Sequence, residues 1–283
     1  MPQEGSRRPP KATLVAERLL RSLTIAFLIA AAVRASTIPA VAQGRGAGAG
    51  RAGGAAPAPV MAGIPRMSDG KPDFSGFWQA MTTAAYDIAP HSAQPGVPAG
   101  LGIIDGDQLP YVPAAAARKK QNAANRAAAD PLEKCYLPGV PRIMYMPFPF
   151  QIFQTPRHIG LLFEWGHANR DVYLDGSQHP RGHLDWWMGD SRGRWDDDTL
   201  VVDVVHFNDQ TWFDRAGNFH SDALHLIERY SFAGPDHLTY EVTVEDPKVF
   251  TRPWKMSTIF YRHKEKPFQL LEYECNALAE GAF

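Results

Sequence analysis

The chain has 283 residues, with 29 Lys and Arg against 30 Asp and Glu. That balance creates no net field for a polyanion, so nucleic acid is not an expected partner. Gly and Pro, at 24 each, exceed what a helical bundle would use, while the seven Trp could fill the interior of a β-barrel.

The N-terminus carries Arg7, Arg8, Lys11, Arg18 and Arg21 ahead of an apolar run over residues 23–33. This run has the length of a signal-peptide core and is too short to span a bilayer comfortably. Ala40-Val41-Ala42 provides an A-x-A site, which places cleavage before Gln43. Arg34 interrupts the tail of the segment and leaves an uncleaved anchor as the alternative. The Arg7-Arg8 pair is a weak twin-arginine signal, because Pro9 and Pro10 follow it. Residues 1–42 are therefore read as a signal peptide of a periplasmic or secreted protein, with no membrane association after cleavage. Residues 43–69 are rich in Gly, Ala and Pro and too poor in apolar side chains to offset their ordering entropy, so a disordered linker is expected there.

Residues 70–283 should form one domain. It opens on Gly76-Phe77-Trp78, a Gly-x-Trp element that closes one end of lipocalin-like barrels when it lies on the first strand. Residues 80–102 read as a long surface loop. Residues 113–130 (PAAAARKKQNAANRAAAD) form the one predicted helix, with Pro in its first turn, strong helix formers along it and Pro131 as its stop. Its largest side chains are charged, so it should lie on the surface. The Pro-punctuated stretch through Met144, Phe148 and Phe150 cannot be a central strand and should plug a barrel mouth or line a pocket.

Strands are expected at 151–155, 158–165, 171–174, 184–189, 194–195, 199–207, 224–232, 238–244, 256–263 and 270–275, with a turn at residues 190–193. The connections are too short for βαβ crossovers. The fold class is mainly β, an antiparallel up-and-down barrel of lipocalin or calycin type with one surface helix; a two-sheet sandwich is the alternative. Alternation along 199–207 places Asp203 on the face opposite Leu200, Val202 and Val204, either in solvent or at a polar spot of a ligand cavity.

Cys135 and Cys275 are the only cysteines. Export would allow them to pair, and as they lie 140 positions apart the chain-entropy estimate of the bridge is about 5 kcal/mol at most. Two buried free thiols are the alternative.

The motifs GRWDDDTLVVDVVHFN, HSDALHLIERY, YEVTVEDP and LLEYEC fall in this order, and the chain resembles a large family of exported bacterial proteins on their account. The resemblance runs from about Pro72 to Cys275. It implies a secreted β-rich domain and transfers no activity, cofactor or site residue. Where such proteins continue past the Cys with a His-Glu-Gly-Asn type tail, this chain has Asn276-Ala277-Leu278-Ala279-Glu280.

The candidate chemistry is imidazole chemistry. His206, His220 and His225, with Asp222, are expected to form an acid–base centre, because imidazole exchanges protons near neutral pH and a carboxylate can fix its tautomer. Arg170, Asp175, His179, Asn208, Trp212 and Asp214 are candidates for orienting a small, partly apolar ligand. No organic cofactor is implied; the same His206, His220 and His225 would suit a divalent ion such as zinc if one binds. The competing interpretation has these His and Asp side chains bonding loop carbonyls and capping turns. Nucleophile elbows, P-loops and dinucleotide fingerprints are absent from the sequence. Two function classes remain: a lyase, isomerase or hydratase working by acid–base chemistry, and a non-catalytic periplasmic small-molecule binder. Imidazoles and carboxylates within hydrogen-bond reach in one concavity would favour the enzyme; a dry aromatic pocket would favour the binder.

Overall fold

The computed structural model describes residues 63–275. The expected signal peptide, most of the expected linker and the tail beyond Cys275 lie outside the described residues. Nine strands close into a barrel in chain order: β1 Gly76–Ala80, β2 Phe150–Thr155, β3 His158–Phe163, β4 Asn169–Tyr173, β5 Asp190–Asp196, β6 Thr199–Val205, β7 His225–Gly234, β8 His237–Glu245 and β9 Trp254–Arg262. Every neighbouring pair is antiparallel except β4 with β5, and β9 returns to pair with β1. The barrel, not the sandwich, is the fold.

Alternation decides what lies inside. Leu200, Val202 and Val204 of β6, Leu226 and Tyr230 of β7, and Leu238, Tyr240 and Val242 of β8 are buried together in the core. Trp78 of β1 is fully buried, and the guanidinium of Arg262 lies 4.1 Å from its ring centroid. The Pro-punctuated segment acts as a plug: Ile143, Met144 and Tyr145 are buried in a short 3-10 turn and Phe150 joins the core. Phe148 instead packs on Tyr273, with ring centroids 4.6 Å apart.

Several expectations need correction. The helix is two pieces, α1 Pro113–Ala124 and α2 Arg126–Ala129, interrupted at Asn125. Residues 184–189 are no strand but the end of the long β4–β5 connection, held by a single bridge between Trp186 and Phe207. The expected turn at 190–193 lies inside β5. Its glycine is needed there, because a Cβ on Gly193 would stand 2.9 Å from the Val172 side chain. Residues 270–275 form no strand either; Tyr273 bridges Trp165, and the barrel closes through β9. Residues 63–69, expected as the end of a disordered linker, are ordered. There Arg66 makes a two-pronged ion pair with Asp198, the geometry in which guanidinium–carboxylate pairs are strongest.

Cys135 and Cys275 form a disulfide, with Cα atoms 5.3 Å apart. It ties the segment after α2 to the chain beyond β9. No helix among the described residues is long and apolar enough to cross a membrane.

The parallel β4–β5 seam is paired only through Val172 with Ser191 and Tyr173 with Arg192. Inside the barrel, Arg170 of β4 reinforces it. Its guanidinium donates to Ser191 Oγ on β5 at 2.9 Å and to Glu228 Oε1 on β7 at 3.1 Å, and its second fork nitrogen contacts Glu228 Oε2. The Tyr240 hydroxyl also donates to Glu228 Oε1, at 2.5 Å. Burial opposes the charge on Arg170, but Glu228 outweighs it and keeps the guanidinium firmly protonated. Burial and the Glu228 charge together push the Tyr230 and Tyr240 phenols up, so both remain donors. Arg170 is thus a fastener of the barrel wall, not a ligand-orienting residue as expected.

Candidate functional site

The long connection over residues 174–189 carries the chain from β4 back to the start of β5. It lies against the outer face of β5, β6 and β7, where it creates a cleft of about 300 Å³. Val201 shows the arrangement: it points away from the barrel core, yet it is buried because the connection covers that face. The floor is Val201 with Ile227. One wall is the loop from Gly176 to His179, and the rim carries Arg192, Asp203 and His225.

The strands set the polar groups in register. Arg192 stands opposite Asp203, and Asp203 opposite Ile227. His225 stands opposite Glu245 on β8. Asp190, at the start of β5, accepts from Arg192 Nε and Nη2, each at 2.7 Å. It also bonds His179 Nδ1 at 2.6 Å. Burial opposes the charge of Asp190, but the hydrogen bonds from Arg192 and His179 prevail and hold its carboxyl below the usual range. An ionised carboxylate only accepts, so neutral His179 must carry its proton on Nδ1, which leaves Nε2 as a bare acceptor.

That Nε2 is buried and has no hydrogen-bond partner among the described residues. It faces Asp203 Oδ2 at 3.8 Å, beyond hydrogen-bond range. The other oxygen of Asp203 bonds His225 Nε2 at 2.6 Å, while His225 Nδ1 meets Glu245 Oε2 at 3.1 Å. Two imidazoles therefore turn their Nε2 atoms toward one half-exposed carboxylate, and each has Nδ1 tied to a second carboxylate. Arg192 is fully engaged: its remaining nitrogen donates to Ser177 Oγ at 2.6 Å, fixing the loop to β5. Asp175 supports the same loop by accepting from the Ser177 hydroxyl and amide, which also lowers its carboxyl pKa.

No protein-family model, curated protein or solved structure matches the chain. The residues alone carry the reading of the site.

The anticipated His206, His220, His225 and Asp222 do not share this cleft. Only His225 lines it, together with His179, which was expected merely to orient a ligand. His206 sits 6.2 Å from His179 between ring centroids, but its Nε2 bonds the Pro180 carbonyl at 3.1 Å. His220 is buried between Thr211 Oγ1, at 2.5 Å, and the Ser221 carbonyl, at 2.9 Å; burial lowers its pKa and favours the neutral ring. Asp222 is exposed and paired with Lys248 at 2.6 Å. Asn208 caps its own turn by accepting from the Gln210 amide. Trp212 is buried near α1, beside a different recess with Lys134 and Tyr136. The three histidines are neighbours in sequence only, because the chain leaves the barrel after β6 and returns to it at β7. Among the described residues, no group of three or more His, Cys, Asp or Glu side chains is disposed to hold a metal ion.

Asp214 organises a buried loop knot instead of touching a ligand. It accepts from the amides of Ala216, Asn218 and Ile88 and from the Asn218 side chain. Burial, joined by the charge of Asp87, pushes its carboxyl pKa up to about 7 from 3.8. An acid whose pKa rises on folding binds its proton more tightly in the native state, so its contribution is fully present below 3.8 and is lost as pH climbs to about 7. Stability to urea should therefore decline across that window in the wild type, and Asp214→Asn should remove this part of the slope.

Asp190 and Arg192 were missed in the sequence because Asp-Ser-Arg-Gly has the composition of a turn. The only available signal was the outward position of Asp203 beside an otherwise apolar run.

Proposed function

We propose that the outer-face cleft is an acid–base centre that moves a proton on a small, partly apolar molecule, in a protein exported to the periplasm or secreted. The observation that carries this reading is the unpartnered Nε2 of His179, oriented through Nδ1 by Asp190 and directed at Asp203. His179 Nε2 takes a proton from a substrate carbon seated on Val201 and Ile227. The resulting imidazolium is balanced by Asp190, whose own charge is anchored by Arg192. Asp203, held by His225, is the second polar group that faces this imidazole. Return of the proton to a different carbon is isomerisation; protonation of a departing hydroxyl releases water and completes elimination, and the reverse is hydration.

Two further observations favour this reading over a non-catalytic binder. Among the described residues the barrel interior is occupied by a hydrophobic core and the buried Arg170–Glu228 pair. The cleft, by contrast, gathers imidazoles and carboxylates within hydrogen-bond reach in one concavity, as an acid–base enzyme requires. The disulfide supports export, since such bonds persist in oxidising compartments.

Proton transfer can be read without knowing the net reaction. A panel of small carbon acids is incubated with the protein in deuterium oxide and followed by proton NMR. The wild type should wash deuterium into at least one of them and His179→Gln should not. Absence of exchange across the panel, or equal exchange by the variant, would count against the reading.

A further inference from the structure

We infer that the cleft selects a small carboxylate-bearing molecule and that Arg194 is the residue that reads its charge; this rests on the acid–base reading above. The argument comes from the layout of the outer face. Along β5, Arg192 and Arg194 both point outward, two residues and so about 7 Å apart. Arg192 stands opposite Asp203 in the proton-transfer row, whereas Arg194 stands opposite Val201, and Val201 opposite Arg229. The cleft therefore has an acid–base end at His179 and Asp203, an apolar middle at Val201 and Ile227, and a cationic end at Arg194.

The two guanidiniums differ in what they hold. Arg192 spends Nε and both terminal nitrogens on Asp190 and Ser177. Arg229 is paired with Asp196 at 3.0 Å. Arg194 lines the cleft, is exposed, and has no hydrogen-bond or ion-pair partner among the described residues. A planar guanidinium recognises a carboxylate through two parallel N–H donors, a geometry an ammonium cannot supply. The matching ligand has a carboxylate at one end and a short or flat apolar body that lies over Val201 and Ile227 toward His179. The cleft volume of about 300 Å³ suits such a monoanion and lies at the small end of ligand sites.

Benzoate and benzamide test this as a matched pair, alike in shape and differing in charge. Their binding to the intact protein is followed by the imidazole NMR signals of His179 and His225, with no turnover needed. Benzoate should bind the wild type more tightly than benzamide. Arg194→Met should weaken benzoate by about tenfold or more, as expected for loss of a charge-assisted pair, and leave benzamide unchanged. Arg194→Lys should restore only part of the difference. Equal affinity for the two probes, no benzoate binding at all, or an unchanged benzoate affinity in Arg194→Met would overturn the inference. His179→Gln separates the two claims: it should abolish deuterium exchange while retaining benzoate binding. Exchange on neutral carbon acids that ignores Arg194 would defeat only the inference about charge; benzoate binding without exchange would defeat only the acid–base reading.

Discussion

Replacing Arg170 with Met should destabilise the domain by about 3–5 kcal/mol, the usual cost of leaving one partner of a buried ion pair uncompensated. Glu228 would then remain in the barrel interior facing two phenols, with Tyr240 and Tyr230 as its only donors among the described residues. The loss is compounded by position. Arg170 also ties β4 to Ser191 across the seam where backbone pairing is shortest, so its removal loosens the wall at its weakest point. At about 2–4 °C per kcal/mol for a domain of this size, the midpoint of thermal unfolding should fall by roughly 6–20 °C. Glu228→Gln should be similarly costly, because it strands the guanidinium instead. The double replacement Arg170→Met with Glu228→Leu should recover much of the loss, since neither charge then needs to be desolvated. Circular dichroism melts of the three variants decide this, and a single-variant loss below about 1 kcal/mol would mean that the pair does not hold the wall.

The same features explain what could be read from the sequence and what could not. β6, β7 and β8 were legible because Thr199–Val205, His225–Gly234 and His237–Glu245 are runs rich in β-branched and aromatic residues set between turn clusters. Residues 184–189 carry strand-like aromatics but lie in a connection, and no local pattern reports that the chain crosses over a neighbouring sheet face. Residues 270–275 look like a last strand for the same reason, although β1 already has its partner in β9. The site was half visible. His179 and His225 stood out as imidazoles, and Asp203 as a carboxylate out of phase with its apolar neighbours. Their convergence depends on the β4–β5 connection folding back over β6, a long-range arrangement that spacing along the chain does not encode. Arg170 shows the converse: a charged residue in a strand invites a functional reading, and its role is to close the barrel.

Asp190→Asn should produce the larger effect on chemistry. An amide at this position can present its NH₂ to His179, which favours the tautomer with the proton on Nε2 and removes the base from the cleft. It also removes the negative charge that balances the imidazolium after proton transfer. By analogy with other histidines oriented by a carboxylate, the rate of deuterium exchange should drop by about 10²–10⁴ while the fold remains intact. The depressed pKa of Asp190 adds a pH signature. Its contribution to stability is present above the ordinary carboxylate pKa and is lost as pH falls through the lower folded value, so the His179–Asp190 contact should persist into mildly acidic solution.

The most direct measurement is the tautomer of His179, read from the nitrogen chemical shifts of its imidazole in the wild-type protein at neutral pH. A protonated Nδ1 with a bare, pyridine-like Nε2 is the predicted result, shifting toward the opposite tautomer in Asp190→Asn. A wild-type His179 that carries its proton on Nε2 would contradict the account, because the cleft would then hold no base where the proton must go.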